Sequence, residues 1–293
     1  MKIGMCLPYM ERDLSRGDLE AWCRGLDQGG FSTIACGERV TGYTYDMRVL
    51  LSAAAAWTER VAIMPTLYVL PMHPEVRVAK ELATLDILSG GRAAVTVGVG
   101  GREMDYRAVG MPFERRHARL DEQVARMRRL WAGERPFEGA DEVGPTPLQE
   151  GGLPVFAGAM GPKAIRRAAE WADGLYSWSG NGEAAEIQRQ LDLGRAAWEE
   201  AGRSAPPRRL VGFWCSLADD GAARLQRYAF AYLKVFGEPV ARAVASQMTR
   251  SSPDAVREAL DAMEALGAEE CLLVPATPDL SEVERAAEIL ARR

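Results

Sequence analysis

The sequence predicts an α/β fold, a single (β/α)8 barrel, on three observations. Eight short apolar runs recur along 293 residues, segments of helical period separate them, and a hydrophobic content of 47% is enough for one large core. The runs are KIGMCLP (2–8), FSTIACGE (31–38), VAIMPTLYVL (61–70), AAVTVGVG (93–100), LPVFAGA (153–159), GLYSWS (174–179), LVGFWCSLA (210–218) and CLLVPAT (271–277). Strands this rich in Val, Ile and Leu are buried on both faces, which calls for a parallel sheet with helical crossovers.

The intervening segments carry the matching period. Residues 18–30 place Leu19, Trp22, Cys23 and Leu26 on one helical face and stop at Gly29 and Gly30. Residues 119–131 do the same with Leu120, Val124, Met127 and Trp131. Two stretches depart from a minimal barrel. Residues 137–152 hold Gly and Pro without helical period and read as a loop or small hairpin inserted before the fifth strand. Residues 226–247 read as two helices broken near Gly237 and Pro239. No short repeat or low-complexity tract divides the chain, so one domain over residues 1–293 is expected.

Composition excludes several classes of function. A net charge of −5, with basic and acidic residues intermixed, offers no basic stripe for nucleic acid. No apolar run approaches a membrane span, and the first ten residues lack the pattern of a secretory leader, so a cytoplasmic protein is expected. Five scattered cysteines and two histidines give no metal-ligand spacing. Of the histidines, His73 precedes Pro74 at a helix start and reads as a first-turn or capping residue. His117 lies in a charged run and reads as a solvated helix residue.

In a barrel the chemistry lies in the loops after the strands. Those loops offer no well-placed Schiff-base lysine and no G-x-S-x-G serine, which argues against aldolase and hydrolase chemistry. They do offer aromatic residues, among them Tyr9, Tyr43, Tyr45, Tyr106 and Trp178, a set suited to a planar cofactor and a small-molecule substrate. The stretch GVGGRE is not a dinucleotide-binding G-x-G-x-x-G, because Glu103 stands where the third glycine belongs.

An ordered set of motifs is more specific: H-P at 73–74, L-A-T-L-D at 82–86, L-S-G-G-R at 88–92, G-V-G at 98–100, F-x-x-R-x-x-R at 113–119 and D-E at 121–122. With GFSTIACGERV (30–40) and PVFAGAMGPKAIRRAAEWADG (154–174), this set resembles the bacterial luciferase-like family of flavin- and F420-dependent oxidoreductases. The resemblance covers the first 60% of the chain. It implies a barrel whose carboxyl mouth holds the ring of F420 or of reduced FMN, and a homodimer. It also implies a non-prolyl cis peptide between Thr66 and Leu67 behind the ring. Gly37, Glu38, Gly98, Gly100 and Gly101 would then face the cofactor, and Gly158, Ala159, Met160 and Gly161 its phosphate, with Lys163 nearby. Tyr9, Tyr43, Tyr106 and Trp178 would wall the substrate.

The sequence departs from the resemblance at the second strand, where many relatives carry an acid followed by His and this chain has Glu38 and Arg39. Glu38 is therefore the candidate catalytic residue, as a proton shuttle or an orienting group, against the alternative of a salt bridge to Arg39 or another arginine. Tyr9 and Tyr106 are the alternative proton donors. Arginine outnumbers lysine 32 to 4, the mark of a GC-rich genome, in which F420 users are common. The expectation is thus an F420-dependent reductase of a C=C or C=N bond by hydride transfer. The alternatives are an FMN-dependent monooxygenase, a non-catalytic flavin-binding protein, and an aldolase or sugar-phosphate isomerase barrel.

Overall fold

The computed structural model describes residues 1–293, and their eight strands close in chain order into one parallel barrel. The strands are β1 (Lys2–Cys6), β2 (Thr33–Cys36), β3 (Ala62–Val69), β4 (Val95–Gly98), β5 (Val155–Gly158), β6 (Gly174–Trp178), β7 (Arg208–Cys215) and β8 (Glu270–Pro275). Between and after them come α1 (Arg16–Gln28), α2 (Met47–Trp57), α3 (Glu75–Leu88), α4 (Glu103–Ala108), α5 (Arg116–Trp131), α6 (Pro162–Ala168), α7 (Ala184–Glu200), α8 (Gly221–Leu233), α9 (Glu238–Ala245), α10 (Pro253–Ala265) and α11 (Ser281–Ala291).

Side-chain alternation sorts each strand into two layers. On β1, Ile3 and Met5 join the outer core against the helices, whereas Cys6 joins Ala35, Met64, Phe156, Tyr176, Leu210 and Leu272 inside the barrel. The helices dock by the faces their period predicts. Helix α1 is closed by a capping box between Ser15 and Asp18 and buries Leu19, Trp22, Cys23 and Leu26. Each such side chain contributes about 1.5–3 kcal/mol of burial. All five cysteines are buried, and burial pushes the Cys6 and Cys23 thiols up to about 12.

Residues 137–152 form no helix or strand, and α8 and α9 are separated by a single 3₁₀ turn and Gly237. Helix α8 bends over the carboxyl mouth, where Leu225, Tyr228 and Ala229 merge with the barrel-interior cluster. The excursion beyond a minimal barrel is therefore the roof of the site.

Glu282, fully buried in the first turn of α11, ties that helix to the ends of β7 and β8. It accepts hydrogen bonds from Ser216 Oγ (2.7 Å), Leu217 N–H (2.5 Å) and Thr277 Oγ1 (3.2 Å). Burial raises its carboxyl above the usual range, outweighing those hydrogen bonds, so the folded state binds this proton more tightly than the unfolded chain. Its contribution to stability is then fully present at low pH and falls as pH rises through the folded-state value. Glu282→Gln is expected to gain stability relative to the parent as pH rises above the ordinary carboxylate range, measured by urea denaturation. A difference that does not change with pH would refute the raised carboxyl.

Candidate active site

The floor of the mouth comes from β3, β4 and β5. The register between β3 and β4 slips after Thr66, which pairs with Thr96 while Tyr68 pairs with Val97, so Leu67 is the extra residue of a bulge. The Thr66–Leu67 peptide bond is cis. The Leu67 side chain lies across the two neighbouring strand ends: a Cβ on Gly98 would stand 2.8 Å from it and one on Gly158 only 2.1 Å. Glycine at both positions is thus a demand of close approach, and the result is a smooth apolar surface. Gly100 has φ +59° and faces Val69, while Gly101 lies under Phe236 from the segment that joins α8 to α9.

Glu38, just past β2, is fully engaged. One carboxylate oxygen stands 2.7 Å from His73 Nε2, and the other accepts the Val69 N–H at 2.7 Å. It makes no ion pair with Arg39 or any other arginine. His73 does not cap α3, whose N-cap is Pro74 without a side-chain hydrogen bond; its ring instead crosses to β2 and stacks edge-on against Tyr68 at 5.2 Å. The β3–α3 loop therefore returns to the site the imidazole that is missing after β2. His117 is largely exposed on α5, and partial desolvation of its ring, followed by the like charges of Arg116 and Arg167, holds its pKa below the usual value.

Aromatic residues build the far wall. Trp178 packs against Trp214 with ring centroids 5.3 Å apart, and Trp214 against Tyr232 at 5.2 Å and Tyr228 at 6.3 Å. Tyr9 is buried, and a Cβ on Gly37 would stand 2.5 Å from its hydroxyl. Burial, with the neighbouring phenols Tyr228 and Tyr232 next, drives the Tyr9 hydroxyl well above its usual pKa and keeps its proton on. Tyr228 and Tyr232 were invisible to strand-end reasoning because they stand on a helix, where their spacing is that of an ordinary buried face.

Two candidate wall residues lie elsewhere. Tyr106 is fully buried beneath α4 with Val69, Met72 and Phe113, and its hydroxyl donates to the Val99 carbonyl at 2.6 Å. Its proton is spent and its ring does not line the mouth, so neither the donor nor the wall role holds. Tyr43 is 44% exposed and is covered by Arg12, whose guanidinium carbon lies 4.6 Å from the ring centre. The loop after β5 stands open: Met160 is 53% exposed, and Gly161 leads into α6 with Pro162 in its first turn and Lys163 exposed. No three His, Cys, Asp or Glu side chains cluster as a metal site would require, and no helix is long and apolar enough to cross a membrane.

This arrangement can seat and orient a planar molecule, but its one carboxylate is committed to structure. The luciferase-like monooxygenase model matches residues 1–279. The chain belongs to that family. Among its relatives is the F420-dependent glucose-6-phosphate dehydrogenase of Beutenbergia cavernae, 34% identical in an alignment 185 residues long that covers 56% of this chain and 53% of that protein. The first curated relatives are matched over 62% of their length. Among solved structures, the monooxygenase RslO1 from Streptomyces bottropensis superposes with TM-score 0.79 at 25% identity, covering 100% of this chain and 98% of that one. An F420-dependent secondary alcohol dehydrogenase in complex with an F420-acetone adduct shares the fold at TM-score 0.81 and 19% identity, covering 98% and 97%. Membership of that family agrees with the closed eight-stranded barrel.

Proposed function

We propose that this protein is an F420-dependent oxidoreductase that reduces an organic C=C or C=N bond. The observation that carries the reading is the floor formed by Leu67 against Gly98 and Gly158, a smooth apolar seat for a tricyclic ring beside a carboxylate with no free oxygen. When bound there, F420 would supply a hydride to the substrate, so the chain itself need only hold, orient and protonate. Glu38 and His73 fix the end of β3 on one side of the ring seat. The backbone from Gly98 to Gly101 flanks it, and Gly158, Ala159, Met160 and Gly161 offer the open loop for a phosphate. Tyr9 holds a proton at its hydroxyl, and Trp178 helps exclude water above the seat. The relatedness to an F420-dependent dehydrogenase favours F420 over FMN.

FMN-dependent monooxygenation is the second reading, favoured by the match to RslO1 over the whole chain. Under either reading a second copy of the chain is the expected partner. The groove between α2 and α3, where Val49 and Leu88 stand exposed among Arg48, Arg77, Lys80 and Glu81, is a surface open to it.

The test is an anaerobic fluorescence titration of the protein with F420 and with FMN, each oxidised and reduced, followed by turnover with unsaturated acceptors. Tighter binding of F420 is expected, together with oxygen-independent oxidation of its reduced form on adding an acceptor, read as the return of the oxidised cofactor's absorbance and fluorescence. Preference for FMN with oxygen consumption would replace the reading by the second. Binding of neither would overturn both.

A further inference from the structure

Arg39 is the one half-buried arginine in the chain whose guanidinium makes no hydrogen bond and no ion pair, and its Nε is shut off from solvent without a partner. Every other half-buried arginine donates to a carbonyl, hydroxyl or carboxylate. A guanidinium whose Nε is buried without a partner, and whose terminal nitrogens bond no other side chain or carbonyl, is free to receive an anion at a binding mouth.

The surroundings define that anion. Arg39 stands just past β2, with its guanidinium carbon 5.7 Å from the centre of the Tyr232 ring. Burial first, and then the like charge of Arg102 from the loop after β4, weaken its hold on its proton. The carboxylate near this pair, Asp105, is already shared: it meets Arg102 Nε at 3.2 Å, accepts the Thr41 N–H at 2.9 Å and also bonds the Thr41 hydroxyl. Glu38, next in sequence, has both oxygens occupied by His73 and Val69. Two guanidiniums around one carboxylate leave a single positive charge, which matches a monoanion rather than a phosphate dianion. Tyr232 and Trp214, whose ring centroids lie 5.2 Å apart with their planes inclined at 63°, supply an aromatic corner beside it. The glycine loop suited to a cofactor phosphate follows β5, three strands round the closed barrel from β2.

We propose that Arg39, backed by Arg102, receives the carboxylate of the substrate, and that the substrate is a small aromatic or alicyclic acid whose ring packs into the corner between Tyr232 and Trp214. This assignment rests on the reading of the mouth as the cofactor-binding site and names the substrate class for it. Arginine at the end of β2 then gives up acid–base chemistry in exchange for charge recognition.

The test is calorimetric titration of the full chain, with and without saturating cofactor, using benzoate, its neutral analogue benzamide, and phenyl phosphate as probes. Benzoate is expected to bind at least about tenfold more tightly than benzamide and no more weakly than phenyl phosphate. Arg39→Met should remove that preference, Arg39→Lys should keep part of it, and affinity for F420 or FMN should stay within about threefold. Equal binding of benzoate and benzamide by the parent protein overturns the proposal without recourse to any variant. Retention of the preference in a folded Arg39→Met protein overturns it as well. Parallel loss of cofactor affinity would assign Arg39 to the cofactor's own anion and also overturn it. Failure of the parent to bind either cofactor, with benzoate selectivity intact, would remove the flavin reading alone.

Discussion

Replacing Asp86 by alanine is expected to cost about 3–5 kcal/mol of folding stability. Asp86 closes the L-A-T-L-D motif on α3, is completely buried, and carries no counter-charge. Its two oxygens accept four hydrogen bonds: from the N–H groups of Ala93 (3.3 Å), Leu148 (2.8 Å) and Gln149 (3.1 Å), and from Gln149 Nε2 (2.7 Å). These bonds fasten the inserted loop, residues 137–152, to the start of β4. Alanine would strand the three backbone N–H donors, each at about 1–3 kcal/mol, and leave Gln149 Nε2 with only the Ala93 carbonyl, with partial relief as the loop peels away and water enters. Urea denaturation measures the loss, and limited proteolysis should show faster cleavage within residues 137–152. A loss below about 1 kcal/mol would mean that the loop finds other partners.

Replacing Glu38 by alanine is expected to lower stability by about 2–4 kcal/mol and to weaken cofactor binding by about tenfold to a hundredfold. Both effects have one origin. The carboxylate holds the His73 ring and the Val69 N–H, and Val69 in turn faces Gly100 beside the ring seat, so its removal frees the end of β3. Glu38→Gln keeps an acceptor for Val69 and should recover most of the stability. It should recover binding to the same extent if Glu38 positions the floor. A stable Glu38→Gln protein with full cofactor affinity but no turnover would instead restore a proton-transfer role to this residue. Denaturation, cofactor titration and single-turnover rates separate the cases.

Much of the motif set that carries the family resemblance turns out to be framework. Asp86 anchors a loop. Arg92 of L-S-G-G-R donates to carbonyls of Ala55, Thr58, Val61 and Ser89, pinning the turn into β4. Arg116 and Arg119 of F-x-x-R-x-x-R bond the carbonyls of Phe113 and Pro112 at the entry to α5. These residues are legible because each acts on backbone close by or at a fixed place in the fold. The roles of the mouth residues are less so. The strand-end rule places Tyr106 and Trp178 on an equal footing, yet one hydroxyl is consumed by a carbonyl seven residues away while the other ring joins the aromatic wall.

What the sequence by itself determined is the barrel, its strand order and the position of its mouth, because strand and helix periods are written in neighbouring residues and eight parallel crossovers close in only a few ways. Through the family resemblance it also pointed to a cis bond between Thr66 and Leu67, to Gly98 beside a cofactor and to Gly158 at its phosphate; the cis bond is present. Only the tertiary structure decided that His73 meets Glu38 across 35 residues, that α8 folds its tyrosines over the mouth, and that Arg39 is left without a partner. The physical reason is common to all three. A hydrogen bond, a roof and an unpaired charge depend on which groups arrive within a few ångströms in space, and that is a property of the closed barrel rather than of any stretch of chain.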